Sequence, residues 1–382
     1  MRALIVGLGL IGGSLAKAFK KYQIASELAV FDPNIASCNQ AVADGVANKI
    51  CQDLTKILQY QVIAIACPLG AFANIAPIVF KNASETALIF DVGSLKNFAE
   101  LDFKSINPNF NPITFASLPP NFIPAHPIAG SHLTGYQNSD ADLFIDKNFM
   151  VCLNENSTEL QKKFAEQLKQ IITKIGSKPV ELPPEKHDYI YGLVSHLPQD
   201  LSFFHLAIDD QRSAYPFDWK TKSFFQLDDL SWYFFCPYLQ QCFRLNYSDK
   251  YLWEEIFLLN NKLLHDSFNV WHNNFCNILQ KLCVSSNPYQ AICQFITEYK
   301  AITPSPATLA DIKQNSKEII LRLILVIAYL QMPKIEDYKK YAGKGFTDFA
   351  SIINIISIID EKTFNQLFNN NRSDLDLLIE FF

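Results

Sequence analysis

The chain predicts an α/β N-terminal domain, built on a doubly wound parallel sheet, followed by an all-helical C-terminal domain. Three observations lead there. The first residues pass from an apolar run straight into a glycine-rich turn, "MRALIVGLGLIGGS". Strand-like apolar runs then alternate with amphipathic helical ones to about residue 182, the pattern of a parallel sheet with crossover helices. Beyond "ELPPEKHD" (181–188) the periodicity is helical, with few glycines and many Phe and Leu.

"ALIVG" reads as a buried strand, and "LIGGSLAKAFKKY" has the apolar spacing of a helix. "LAVFD" is a second strand that ends in Asp32, 20 residues after Gly12. That order of strand, GxGxxG turn, helix, strand and acid is the fingerprint of a Rossmann domain. Gly7 permits the tight turn, Gly9 lets the backbone approach a pyrophosphate, and Gly12 lets the helix pack on the strand. Leu10 and Ile11 open the helix, where free N–H groups and the helix dipole favour an anion. Asp32 accepts hydrogen bonds from ribose hydroxyls and repels a 2′-phosphate, which argues for NAD over NADP. An export signal is the competing reading, with Arg2 ahead of an apolar stretch. Four glycines within that stretch, and "KAFKKYQ" where a cleavage site would fall, argue against it.

Further strands are expected at "VANKI" (46–50), "VIAIACP" (62–68), "ALIFDVGS" (87–94), "FIPAHPIAG" (122–130), "FMVCLN" (149–154) and "KPVEL" (178–182). A helix is expected over 156–176, opened by a Ser/Thr cap and stopped by Gly176. The proline pair and charged run at 181–188 mark a boundary, giving a nucleotide-binding domain over 1–182 and a helical domain over 183–382. Within the latter, "DKYLWEEIFLLNN" (249–261) and "DEKTFNQLFNNNR" (360–372) align at an offset of 111. They suggest a degenerate repeat, with copies near 190–265 and 313–382.

A net charge of −5 argues against nucleic acid or an acidic membrane as the main partner. Nine cysteines form no CxxC pair, so no metal site is expected, and free thiols fit a reducing cytoplasm. The most apolar run, "IILRLILVIAYLQM" (319–332), is too short to span a bilayer and reads as a buried helix.

Four stretches fall where a dehydrogenase of this architecture needs chemistry. "DVGSLK" (91–96) places Ser94 at the end of one strand, and "HPIAGSHLTG" (126–135) places His126 after the next. "GLVSHLPQDLSF" (192–203) opens the helical domain, and "CFRLNYSDKYLWEEI" (242–256) carries Arg244 ahead of another helix. Taken in order, these motifs resemble the prephenate/arogenate dehydrogenase family of tyrosine biosynthesis over residues 1 to about 265.

The resemblance implies NAD-dependent oxidative decarboxylation of prephenate to 4-hydroxyphenylpyruvate, or of arogenate to tyrosine. It also implies a helical domain that normally forms dimers. The reaction needs a base at the substrate hydroxyl; histidine as a residue type titrates in the right range, and His126 is the choice. Ser94 hydrogen-bonds the same hydroxyl or orients the imidazole; its bland reading is a turn or helix cap. A dianionic substrate needs cations: Arg244 as carboxylate grip and Lys96 as nearby charge. His196 and Gln199 complete the substrate contacts, where the two domains are expected to meet. His187 receives no role.

Departures from the family pattern bear on specificity. Gln199 stands where "SHLPH" ends in histidine, which suits arogenate's amino group or weakens keto-acid recognition. His132-Leu133 replaces Glu-Lys. The family's "GF-D" turn is missing before Arg244, while "AGKGFTDFAS" (342–351) keeps the turn but has Ser351 at the arginine position. A duplicated helical domain would let a monomer mimic a dimer; a homodimer is the simpler expectation. Another Rossmann dehydrogenase, or an NAD-binding homologue without catalysis, are the alternatives.

Overall fold

The computed structural model describes residues 1–98, 100–101, 103, 118–130, 133–197, 250–296, 316–332, 341, 356 and 359–372. The backbone parts into two compact units, the first of residues 1–190 with 247–260, the second of residues 191–246 with 261–382.

In the first unit, β1 (Arg2–Val6), β2 (Glu27–Phe31), β3 (Lys49–Ile50), β4 (Val62–Ile65), β5 (Leu88–Asp91) and β6 (Phe122–Ile123) form one all-parallel sheet in the order β3-β2-β1-β4-β5-β6. Helices α1 (Leu10–Lys21), α2 (Ile35–Ala43) and α3 (Leu69–Asn82) make the crossovers. β1 and β4 are continuous apolar runs because neighbours hydrogen-bond both edges and helices cover both faces. The strand order reverses between β1 and β4, and that switch point opens the ligand crevice at the strands' carboxyl ends.

The structure corrects one strand. "FIPAHPIAG" does not run on in the parallel sheet: it breaks at Pro124, and β7 (Ala125–Pro127) joins a second sheet. There β7 pairs antiparallel with β8 (Asn148–Cys152), which pairs parallel with β9 (Lys178–Leu182). Proline has no N–H for the ladder. The next N–H, of Ala125, is taken at 3.1 Å by the Asp91 carboxylate instead of a strand carbonyl. α4 (Glu159–Lys174) has a reciprocal capping box between Thr158 and Gln161, and Gly176 follows it with φ +84°. α5 (Pro184–Tyr191) starts with proline at its first position, where no N–H is needed. The segment read as a domain boundary is therefore a strand end followed by a helix. α6 (Lys250–Leu259) packs in this unit with α3, and the Gly70 N–H at the start of α3 donates to Glu255 at 3.1 Å.

The described part of the second unit is helical. Gly192–His196 forms a π-turn closed by the Leu197 N–H on the Gly192 carbonyl. α7 (Asn261–Val284), α8 (Pro288–Ile296), α9 (Ser316–Leu330) and α10 (Glu361–Asn370) follow. α9 is the apolar run expected to be buried: Leu323, Ile324 and Tyr329 are fully enclosed. The Tyr329 hydroxyl donates to the Leu193 carbonyl of the π-turn at 2.5 Å. Asn287, Tyr289 and Asn365 hydrogen-bond α8 to α10. α6 and α10 are each ten residues long and start and end 111 positions apart. Among the described residues no helix is long and apolar enough to cross a membrane, and no cluster of metal-ligating side chains occurs.

Candidate active site

The glycine turn does what its spacing predicts. Gly7 sits at φ +100°, and a Cβ there would strike the Ala66 backbone. A Cβ on Gly12 would strike the Gly7 carbonyl, so only glycine lets α1 approach β1 so closely. Gly9 is different: a methyl there would meet no atom of the chain within 4 Å. Its freedom from a side chain matters to something outside the chain, as a pyrophosphate-facing glycine should. The first-turn N–H groups, of Leu10, Ile11 and Gly12, have no intrahelical acceptor and converge there.

Asp32 has a second task that spacing alone does not reveal. One carboxylate oxygen accepts the Leu8 N–H at 2.6 Å and the other the Asn34 N–H at 2.7 Å. The acid thus ties the glycine turn to the end of β2, and each oxygen keeps a lone pair for a ribose hydroxyl. These residues fit an NAD molecule. Cys67, beyond β4, is pushed up to about 12 by burial and stays a neutral thiol.

"DVGSLK" is a structural clamp as well as a site motif. The Lys96 ammonium is buried and paired with Asp91, and donates to the Ala125 carbonyl at 2.8 Å. Asp91 in turn accepts N–H groups from Gly93 at 2.8 Å and Ala125 at 3.1 Å. Burial pushes the Asp91 carboxyl up, against the pull of Lys96. Both polar groups of Ala125 are therefore held by one ion pair, and the next residue is His126. The Lys96 charge, expected beside the substrate, is instead spent inside the protein. Ser94, partly exposed, lies on the loop that the clamp closes.

His126 is half-buried on β7, opposite Met150 of β8. Its Nδ1 lies 3.0 Å from Nε2 of His187, whose Nδ1 lies 2.7 Å from the Asp188 carboxylate. Asp188 also accepts the backbone N–H of Lys96 at 2.7 Å and of Asn97 at 2.8 Å. His187 is wholly buried, and that burial, with the Lys96 charge, holds its pKa well below the usual histidine value. Sequence reasoning gave His187 no role. The signal was the adjacent His-Asp pair in "EKHD", masked by two prolines that read as a boundary. His196 lies in the π-turn of the second unit and is buried. Gln199, Arg244, His132 and the 342–351 segment, except for its flanking residue Tyr341, lie outside the described residues.

Comparison with known proteins agrees with this fold. The family model for the nucleotide-binding domain of prephenate dehydrogenase matches residues 15–181. Prephenate dehydrogenase of Bacillus subtilis is 26% identical over 275 residues, which are 70% of this chain and 66% of that protein. The chain is similar, in its nucleotide-binding part and beyond, to prephenate dehydrogenases and a cyclohexadienyl dehydrogenase. The Rossmann nucleotide-binding domain supports an NAD-dependent oxidoreductase. Two solved structures share the fold. Prephenate dehydrogenase of Aquifex aeolicus, solved with hydroxyphenyl propionate and NAD+, has a TM-score of 0.60 at 24% identity, covering 78% of this chain and 95% of that one. Synechocystis arogenate dehydrogenase has a TM-score of 0.53 at 20% identity, covering 90% and 100%.

Proposed function

We propose that the chain catalyses oxidative decarboxylation of prephenate to 4-hydroxyphenylpyruvate, with NAD as oxidant, in tyrosine biosynthesis. The observation that carries this reading is His126, held by its Nδ1 in the nucleotide-binding unit, one strand beyond Ser94. NAD, when bound, supplies the acceptor for a hydride from the carbinol carbon of the substrate. His126 takes the hydroxyl proton through Nε2 as that carbon becomes a carbonyl, and loss of CO2 then makes the ring aromatic. Ser94 hydrogen-bonds the same hydroxyl. Lys96 acts from beneath, by holding the strand that carries His126. Arg244 grips a carboxylate, and His196 and Gln199 complete the contacts with the substrate.

Arogenate is the second reading, and Gln199 favours it: a neutral amide stands where the family motif has histidine, and an amide oxygen accepts from an ammonium. Steady-state NADH formation with each substrate, in wild type and in His126→Gln, tests both. Turnover that prefers prephenate and falls at least 100-fold in the variant is the expected result. A preference for arogenate moves the assignment to the second reading. NADH binding without turnover of either substrate makes this a non-catalytic homologue. The 111-residue repeat further suggests a pseudo-dimeric monomer, against the homodimer expected of the family; light scattering separates the two.

A further inference from the structure

We propose that His187 and Asp188 are positioning residues that set the tautomer of His126 and stabilise the cation it becomes on taking the substrate proton. The inference rests on His126 being the base, and it follows from counting donors. The Asp188 carboxylate receives two backbone N–H groups, from Lys96 and Asn97, at 2.7 and 2.8 Å. Held in its acceptor-only form, it requires His187 to donate from Nδ1 across 2.7 Å. His187 is neutral in its buried setting, so its Nε2 carries a lone pair. The facing atom, His126 Nδ1 at 3.0 Å, must then hold a hydrogen. A neutral His126 with its proton on Nδ1 has its lone pair on Nε2, the form a general base needs.

When Nε2 takes a proton, His126 becomes an imidazolium whose Nδ1–H still points at His187. The negative charge of Asp188 is felt through one polarisable ring. The arrangement orients a base as an aspartate does in a Ser-His-Asp triad, with a second histidine interposed. Among the described residues, Lys96 acts on His187 through its charge, Glu185 shares α5 with His187 and Asp188, and Cys152 on β8 feels Lys96, Asp188, Asp91 and Glu185. Lys96 opposes a cation on the pair, and Asp188, hydrogen-bonded to His187, is the negative charge that offsets it.

The test has two independent arms. In wild-type protein with 15N-labelled histidine, NMR should show both His126 and His187 protonated on Nδ1 near neutral pH. Finding the His126 proton on Nε2 overturns the proposal, whatever the enzyme turns over. In the kinetic arm, Asp188→Asn offers His187 a side-chain NH2 that can reverse the donor order and place the His126 proton on Nε2. Turnover should fall about 10²- to 10⁴-fold with the KM for NAD within threefold. The limb of the pH–rate profile that reports His126 should also move to lower pH. His187→Leu should fall similarly. His187→Gln, whose Oε1 can accept from His126 Nδ1, should recover at least tenfold over His187→Leu. If His126→Gln abolishes turnover while Asp188→Asn leaves rate and pH profile unchanged, the relay is wrong and the base assignment survives. If His126→Gln leaves turnover intact, the base assignment itself has failed. NADH affinity and circular dichroism of each variant distinguish both cases from misfolding.

Discussion

Replacing Lys96 by methionine removes one half of a buried ion pair whose side chains are 0% and 2% exposed for Lys96 and Asp91. Methionine keeps the length of the side chain, so the main change is an Asp91 carboxylate left inside without its cation. Breaking a buried pair in this way costs about 3–5 kcal/mol, because the remaining charge is neither hydrated nor neutralised. The Ala125 carbonyl loses its 2.8 Å donor as well, so the upper half of that range is expected. At about 2–4 °C per kcal/mol for a unit of this size, Tm should fall by roughly 8–20 °C.

The sign of the pH dependence is a sharper check. Burial already raises the Asp91 carboxyl with Lys96 present, and the variant loses the strongest opposing influence. A carboxyl whose folded pKa lies above its unfolded one contributes stability that is complete below the unfolded value, about 3.9, and lost as pH rises through the folded value. The deficit of Lys96→Met should therefore be smaller at pH 5 than at pH 8. Thermal unfolding of both proteins at the two pH values measures it. A deficit below about 1 kcal/mol, equal at both, would refute the buried-pair argument. Asp91→Asn in the Lys96→Met background should restore part of the lost stability, since it removes the orphaned charge.

Gly9→Ala and Gly12→Ala form a contrasting pair. The first should keep Tm within about 2 °C yet weaken NADH binding at least tenfold, since a methyl there meets only what binds the turn. The second should lose both stability and binding, because its methyl strikes the Gly7 carbonyl; fluorescence titration and thermal melts separate them. Asp32→Asn should narrow the preference for NAD over NADP by at least tenfold in competing turnover assays, with the repulsion of a 2′-phosphate gone. Thr158→Ala should cost about 1 kcal/mol in a denaturant melt through loss of the α4 capping box, with turnover unchanged.

The nucleotide-binding half was legible in the sequence because its signals are local. Gly7, Gly9, Gly12 and Asp32 act through backbone geometry and a fixed distance along the chain, and β1, β2 and β4 are apolar on every buried position. The break at Pro124 was less legible, since "FIPAHPIAG" has the composition of one strand. Its division depends on Asp91, 34 residues away, taking the Ala125 N–H. Lys96 was read from the sequence as substrate-facing because a cation beside a site motif has no visible partner in one dimension. Its partner is five residues earlier on the same motif, and only the turn at Gly93 brings them together.

His126 could be singled out by its motif, but not the tautomer it holds. The sequence by itself determined which half would carry the dinucleotide fold, which acid would end its second strand, and which histidine follows the fold's later strands. Those depend on periodicity and spacing, which a chain carries along its length. The tertiary structure alone decided that His187 and Asp188, 61 and 62 residues after His126, would stand behind it. Hydrogen-bond direction is a property of neighbours in space, and α5 acquires those neighbours only when it folds against β7 and the loop after β5.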